Sequence, residues 1–203
     1  LDFFADELGC HIVHCPTVVA PPDSPWYVDL PSVVQHYAAA VRHSMASLSR
    51  GRPRVLSTVV RWLRSVTHQR PVPSYCPAGR SAWTVDVLGD IYPCFMLMGW
   101  PAARPGGVDQ SNYTESAWLK ELLAASDTHT REDCSRCWLQ PLCFGCLGDD
   151  LARGDGRLKW STVPGQSSVC DFRRALGVAF LEGLAAAISH SLAPVSSITE
   201  HGP

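Results

Sequence analysis

REDCSRCWLQPLCFGC, residues 131–146, decides how the rest of this chain is read. It places Cys134, Cys137, Cys143 and Cys146 within thirteen positions, although the 203-residue chain holds only nine cysteines. Each C-x2-C pair can present two thiolates to one metal while backbone N–H groups point at the sulfurs and stabilise their charge.

Four thiolates could make a tetrahedral zinc site. Zinc ribbons, however, separate their two pairs by ~15–20 residues, and here only five intervene. Zinc also leaves Cys76, Cys94 and Cys170 without a role. Iron–sulfur clusters are held by four cysteine thiolates, and a cysteine from one run can ligate a neighbouring cluster. Seven cysteines divide as four plus three, which favours two clusters, one with an open position. A zinc-stabilised scaffold or peptide-binding module without redox chemistry is the second reading. An extracellular disulfide scaffold is the third. It fits poorly with a long chain, an odd cysteine count and no secretion signal.

Working outward from the run, Cys76 and Cys94 lie eighteen residues apart across a predicted hairpin. Trp83, Val85 and Val87 alternate with Thr84 and Asp86. Leu88-Gly89-Asp90 turns the chain into Ile91-Tyr92-Pro93-Cys94. Gly89 supplies the left-handed position such a turn needs. Pro93 cannot donate to a ladder, so the second strand is at an edge or ends there. HQRPVPSYC, 68–76, reads as a linker and 99–107 as a Gly/Pro loop. Glu115 to Ala125 reads as a helix with Trp118, Leu119, Leu122 and Leu123 inward. A polar loop from Gly154 to Ser168, a helix from Asp171 to Ser189 and a frayed tail complete the pattern.

The first seventy residues differ. GCHIVHCPTVV, 9–19, reads as a buried strand. Asp29 caps a helix with Pro31 in its first turn, and Val34, Tyr37, Ala38, Val41, Met45 and Leu48 repeat at helical spacing. A second helix is expected over Val55 to Val66 with Trp62 and Leu63 facing in. One strand and two helices are too little for a domain, so this part reads as the end of a larger α/β fold.

CPAGRSAWTVDVLGDIYPC (76–94), CSRCWLQPLCFGC (134–146) and a trailing Cys170 before a helix together resemble the SPASM domain. This is the auxiliary iron–sulfur domain at the C-terminal end of many radical S-adenosylmethionine enzymes. Cys-x-Ala-Gly at 76–79, Asp-Ile-Tyr-Pro-Cys at 90–94 and Cys-x-x-Cys-Trp at 134–138 are similar to the branch that matures ribosomally made peptides. The resemblance implies an α+β architecture: the last strand–helix portion of a partial α/β barrel over residues 1–69, a SPASM-type hairpin with helices and cysteine-rich loops over 70–190, and a flexible tail over 191–203. It implies two [4Fe-4S] clusters, the first held by Cys76, Cys94 and Cys146 and the second by Cys134, Cys137, Cys143 and Cys170. Some relatives carry a further cysteine where this chain has Ala82, so the first cluster is expected to have three protein ligands. The family usually has three residues before the last cysteine of the run, where this chain has Phe144 and Gly145. The C-x3-C-x2-C motif of the S-adenosylmethionine cluster is absent, since Cys10-x4-Cys15 has the wrong spacing. S-adenosylmethionine and a third [4Fe-4S] cluster are therefore expected only in a complete enzyme. The implied partners are a precursor peptide and an electron donor such as a flavodoxin or ferredoxin.

The formal net charge of −2 carries no nucleic-acid footprint and no polybasic membrane patch. LDFFADELGC lacks a basic n-region and an apolar h-region, so it reads as the interior of a longer chain rather than a signal peptide. ALGVAFLEGLAAAISHSL is interrupted by Glu182 and His190 and falls short of a membrane span. A cytoplasmic protein is expected.

Other residues take simpler readings. Cys10 and Cys15 are expected as buried strand thiols, and His11, His14 and His36 as structural or exposed. Trp138 packs beside a cluster, and Tyr92 and Phe95 pack on the hairpin. Asp149 and Asp150 sit on a solvated turn, the sharper alternative being a carboxylate ligand to an open iron.

Overall fold

The computed structural model describes residues 1–18, 20, 23–69, 76–99, 103–104, 106–110, 113–129, 131–146, 148 and 168–189. The linker positions 70–75, Asp149, Asp150, the loop 154–167 and the tail 191–203 lie outside them. The chain is of mixed helix and sheet and divides into two units. The first takes described residues of Leu1–Val18, Val28–Pro71 and Gln166–Pro203; the second takes those of Val19–Tyr27 and Val72–Gly165. Among the described residues no helix is long and apolar enough to cross a membrane.

In the first unit a short helix α1 (Asp2–Asp6) precedes strand β1 (Ile12–Val13) and the long helix α2 (Leu30–Ser49). Helix α2 starts where its cap predicts: the Asp29 carboxylate accepts from Ser32 N at 3.1 Å, with Pro31 in the first turn. Its buried stripe includes Leu30, Ala38, Val41, Met45 and Leu48. Strand β2 (Val55–Leu56) pairs in parallel with β1, Ile12 opposite Val55 and Val13 opposite Leu56. Parallel strands need a crossover, and α2 is that crossover. The buried Ser44 hydroxyl donates to Ala40 O at 2.8 Å and accepts from Leu56 N at 3.1 Å, so the strand's inner N–H is satisfied.

Pairing with β1 holds Val55 and Leu56 extended, so helix α3 begins at Ser57 and runs to Thr67, two residues later than the pattern expects. Trp62 and Leu63 are buried on it as expected. The last helix, α6 (Ser168–Ser189), starts before Asp171 and takes Cys170 into its first turn. The spacing groups this helix with residues 70–190, yet it packs along α2 in the first unit. Two contacts join it to α2: Phe172 meets Tyr37 edge-on at 5.3 Å, and Arg42 pairs with Glu182 at 3.0 Å. Phe180, on the same helix, packs on Trp62 of α3 with 5.1 Å between ring centroids. Full burial of Phe180 contributes about 1.5–3 kcal/mol, whereas the exposed ion pair contributes at most about 1 kcal/mol.

In the second unit β3 (Thr84–Val85) and β4 (Asp90–Tyr92) form the expected antiparallel hairpin, Thr84 opposite Tyr92 and Val85 opposite Ile91. Gly89 has φ +84° and Asp86 caps the turn, its Oδ1 accepting from Leu88 N at 2.9 Å and Asp90 N at 3.0 Å. A third strand, β5 (Gly106–Gly107), pairs with the far side of β4. The β4 strand is therefore central, and it ends before Pro93 because proline has no N–H for the ladder. Helix α4 (Ala117–Ser126) is capped by Ser116, whose hydroxyl accepts from Leu119 N at 3.1 Å. Leu119 and Leu122 are buried beside Leu97 and Ala103, and Trp118 and Leu123 pack partly buried against them. The short helix α5 (Glu132–Ser135) opens the cysteine run.

Candidate metal centre

The segments that carry Cys76 and Cys94 are tied by their backbones. After Cys76 the backbone folds tightly: Arg80, Ser81 and Ala82 N–H groups all converge on Pro77 O at 3.0–3.1 Å. Gly79, at φ +69°, donates its N–H to Ala82 O and to Pro93 O, both at 3.1 Å. The turn after Cys76 is thus fastened to the residue before Cys94. Arg80 anchors the same turn to α4, donating to Leu123 O at 3.2 Å.

Burial pushes the Cys94 thiol up from its ordinary value, and the nearby Cys76 pushes the same way. The backbone N–H groups of Met96 and Leu97 pull it down. Such N–H groups are what a metal-bound thiolate uses to spread its charge.

The run itself is a succession of tight turns. Cys137 N donates to Cys134 O at 3.0 Å, Gln140 N to Cys137 O at 3.0 Å, and Cys143 N to Gln140 O at 3.2 Å. The Gln140 side chain donates to the buried Thr128 hydroxyl at 2.8 Å and pins the middle of the run. Cys134 and Cys143 then pack, with Cys94, against the core of Leu97, Ala103, Leu119 and Leu122. The chain returns past Met96: a Cβ at Gly148 would stand 2.7 Å from Met96 Cβ and 3.8 Å from Cys146 Sγ. All seven expected ligands are half-buried. Six stand in the second unit; Cys170 stands in the first, on α6.

Among the described residues no three His, Cys, Asp or Glu side chains converge as a closed metal-holding group. Cys94, Cys134 and Cys143 share one core without forming a closed ligand set.

One further atom bears on fit. Trp118 packs against the same core as Cys94, Cys134 and Cys143, and its indole Nε1 is buried with no acceptor among the described residues. A buried donor without a partner costs about 1–3 kcal/mol, so an acceptor is wanted there. Thiols around one core, amides aimed at a sulfur and a spare N–H donor suit a soft, thiolate-held metal or cluster.

Several simpler expectations change. Cys10 and Cys15 are exposed, not buried. Strand β1 is only two residues long with one neighbour, so both thiols fall outside it. Cys15 Sγ lies 3.7 Å from the Tyr37 hydroxyl; burial, then the bond to Cys15 and its charge, push the Tyr37 phenol up to about 12. Phe95 is 70% exposed instead of packing on the hairpin, because it projects from the turn after Cys94; Tyr92 is buried as expected. Trp138 is half exposed. His11, His14 and His36 are exposed, with His14 Nδ1 2.9 Å from Ser57 Oγ. The role of Gly79 has a sequence signal, glycine three residues after a cysteine; that of Trp118 has none, since its inward position reads equally as packing.

No family model, no curated protein and no solved structure matches the chain.

Proposed function

We propose that the chain binds two iron–sulfur clusters as a SPASM-type module, and that it is the C-terminal part of a radical S-adenosylmethionine enzyme modifying a ribosomally made peptide. The observation that carries this is the packing of Cys94, Cys134 and Cys143, from two sequence-distant segments, on one small core. The resemblance gives Cys76, Cys94 and Cys146 to one [4Fe-4S] cluster and Cys134, Cys137, Cys143 and Cys170 to the other. Clusters held by these residues would supply electron transfer or a site for the peptide. The chain's own residues hold them, shield them with Leu97, Leu119 and Leu122, and supply amide donors to the sulfurs. In the complete enzyme that the resemblance implies, S-adenosylmethionine and a third cluster would start the radical chemistry. A flavodoxin or ferredoxin supplies electrons, and the cytoplasm is where such thiols stay reduced.

Anaerobic reconstitution tests the reading. The chain takes up about eight irons and about eight acid-labile sulfides and turns brown. One zinc per chain, no sulfide and no visible absorbance would replace it with the zinc-scaffold reading.

A further inference from the structure

Trp118 is the second residue of α4, where a tryptophan facing the core needs only its ring to pack. Its N–H is more than packing requires. The Nε1 atom is buried, and no acceptor for it exists among the described residues. Buried indole N–H groups usually find a partner. The sulfur-bearing side chains of Cys94, Cys134 and Cys143 press on the same four-residue core as the ring.

We infer that Trp118 donates its indole N–H to an inorganic sulfide of one of the centres that these thiols help to hold. The inference rests on the proposed cluster-binding function and adds a residue that sets the potential of the centre. Trp118 is a positioning and tuning residue, not a ligand. A hydrogen bond to a cluster sulfur lowers the electron density there and favours the reduced, more negative state. Removing the donor therefore makes the centre harder to reduce.

The test compares the reconstituted full chain with two variants, Trp118→Phe and one carrying benzothienylalanine at position 118. The second keeps the bicyclic shape and replaces N–H by sulfur, so it decides the matter if the phenylalanine variant does not fold. Iron and sulfide per chain are measured first, then the reduction potential by a titration followed by electron paramagnetic resonance. Both variants are expected to retain iron while the reduction equilibrium falls about tenfold, ~59 mV for a one-electron couple. An unchanged potential in the isosteric variant, with iron retained, overturns the role of Trp118 and leaves the cluster reading standing. Wild-type protein without iron and labile sulfide overturns the cluster reading itself.

Discussion

The backbone N–H of Gly79 donates to Pro93 O at 3.1 Å, so the turn that follows Cys76 is tied to the residue that precedes Cys94. A main-chain bond thus links the segments that carry two cysteines eighteen positions apart.

Gly79→Ala should loosen that tie. The position has φ +69°, and a Cβ there would stand 2.8 Å from Leu119 Cδ1 in the core. Left-handed backbone at a non-glycine residue costs about 1–3 kcal/mol, and the buried Leu119 cannot swing away freely. The expected result is a lower Tm and a weaker metal content after reconstitution. An alanine variant as stable and as fully loaded as wild type would show that the tie is dispensable.

Cysteine pairs separate the two proposed sites. Each single variant, Cys76→Ala, Cys94→Ala or Cys134→Ala, is expected to drop iron from about eight to about four, because one cluster is lost. Cys76→Ala/Cys94→Ala should lose no more than either single change, whereas Cys94→Ala/Cys134→Ala should lose nearly all. Pairing Cys146→Ala with Cys94→Ala and with Cys134→Ala assigns Cys146 by the same rule. Equal iron in both double variants would overturn the assignment of ligands.

Helix α6 approaches α2 through a missing side chain. A Cβ at Gly183 would stand 2.6 Å from Met45 Cβ, an atom that no rotamer can move aside. Gly183→Ala gains about 1 kcal/mol of helix propensity, but overpacking a buried contact costs about 1–3 kcal/mol. Net destabilisation is expected in a urea titration. Stabilisation would mean that the two helices separate easily.

Acid should reveal the Asp2 ion pairs. The Arg54 guanidinium, hydrogen-bonded to Asp2 at 2.8 Å, holds this carboxyl below its ordinary value of 3.8, with His43 adding to the effect at 3.1 Å. A depressed carboxyl contributes stability above its unfolded pKa and loses it as pH falls through the folded value. Asp2→Asn should therefore lower Tm at neutral pH, and the difference should shrink as pH falls below the ordinary carboxyl value of 3.8. Because Asp2 is exposed, added salt should shrink the difference as well. A difference that persists in acid would point to packing instead of charge.

Capping and turn chemistry were readable directly. Asp29, Pro31 and the stripe from Ala38 to Leu48 announce α2, and Gly89 between two alternating runs announces the hairpin. These signals reside in side chains within four residues of one another and in the φ values a residue tolerates. The β1–β2 pairing, the start of α3 and the third strand at Gly106–Gly107 were not readable, because two-residue strands carry no period.

The thiols and their spacing, the caps and turns that place them, and the apolar faces of α2 and α4 follow from residues close together along the chain. Tertiary structure alone decided that Cys94, Cys134 and Cys143 share one core, that Cys10 and Cys15 face solvent, and that α6 lies on α2. It also left the Trp118 N–H buried without an acceptor among the described residues. The difference is physical: spacing and capping act over a few residues along the backbone. Burial and shared contacts depend on how distant side chains fill a common volume, as Gly183 does in letting Met45 approach.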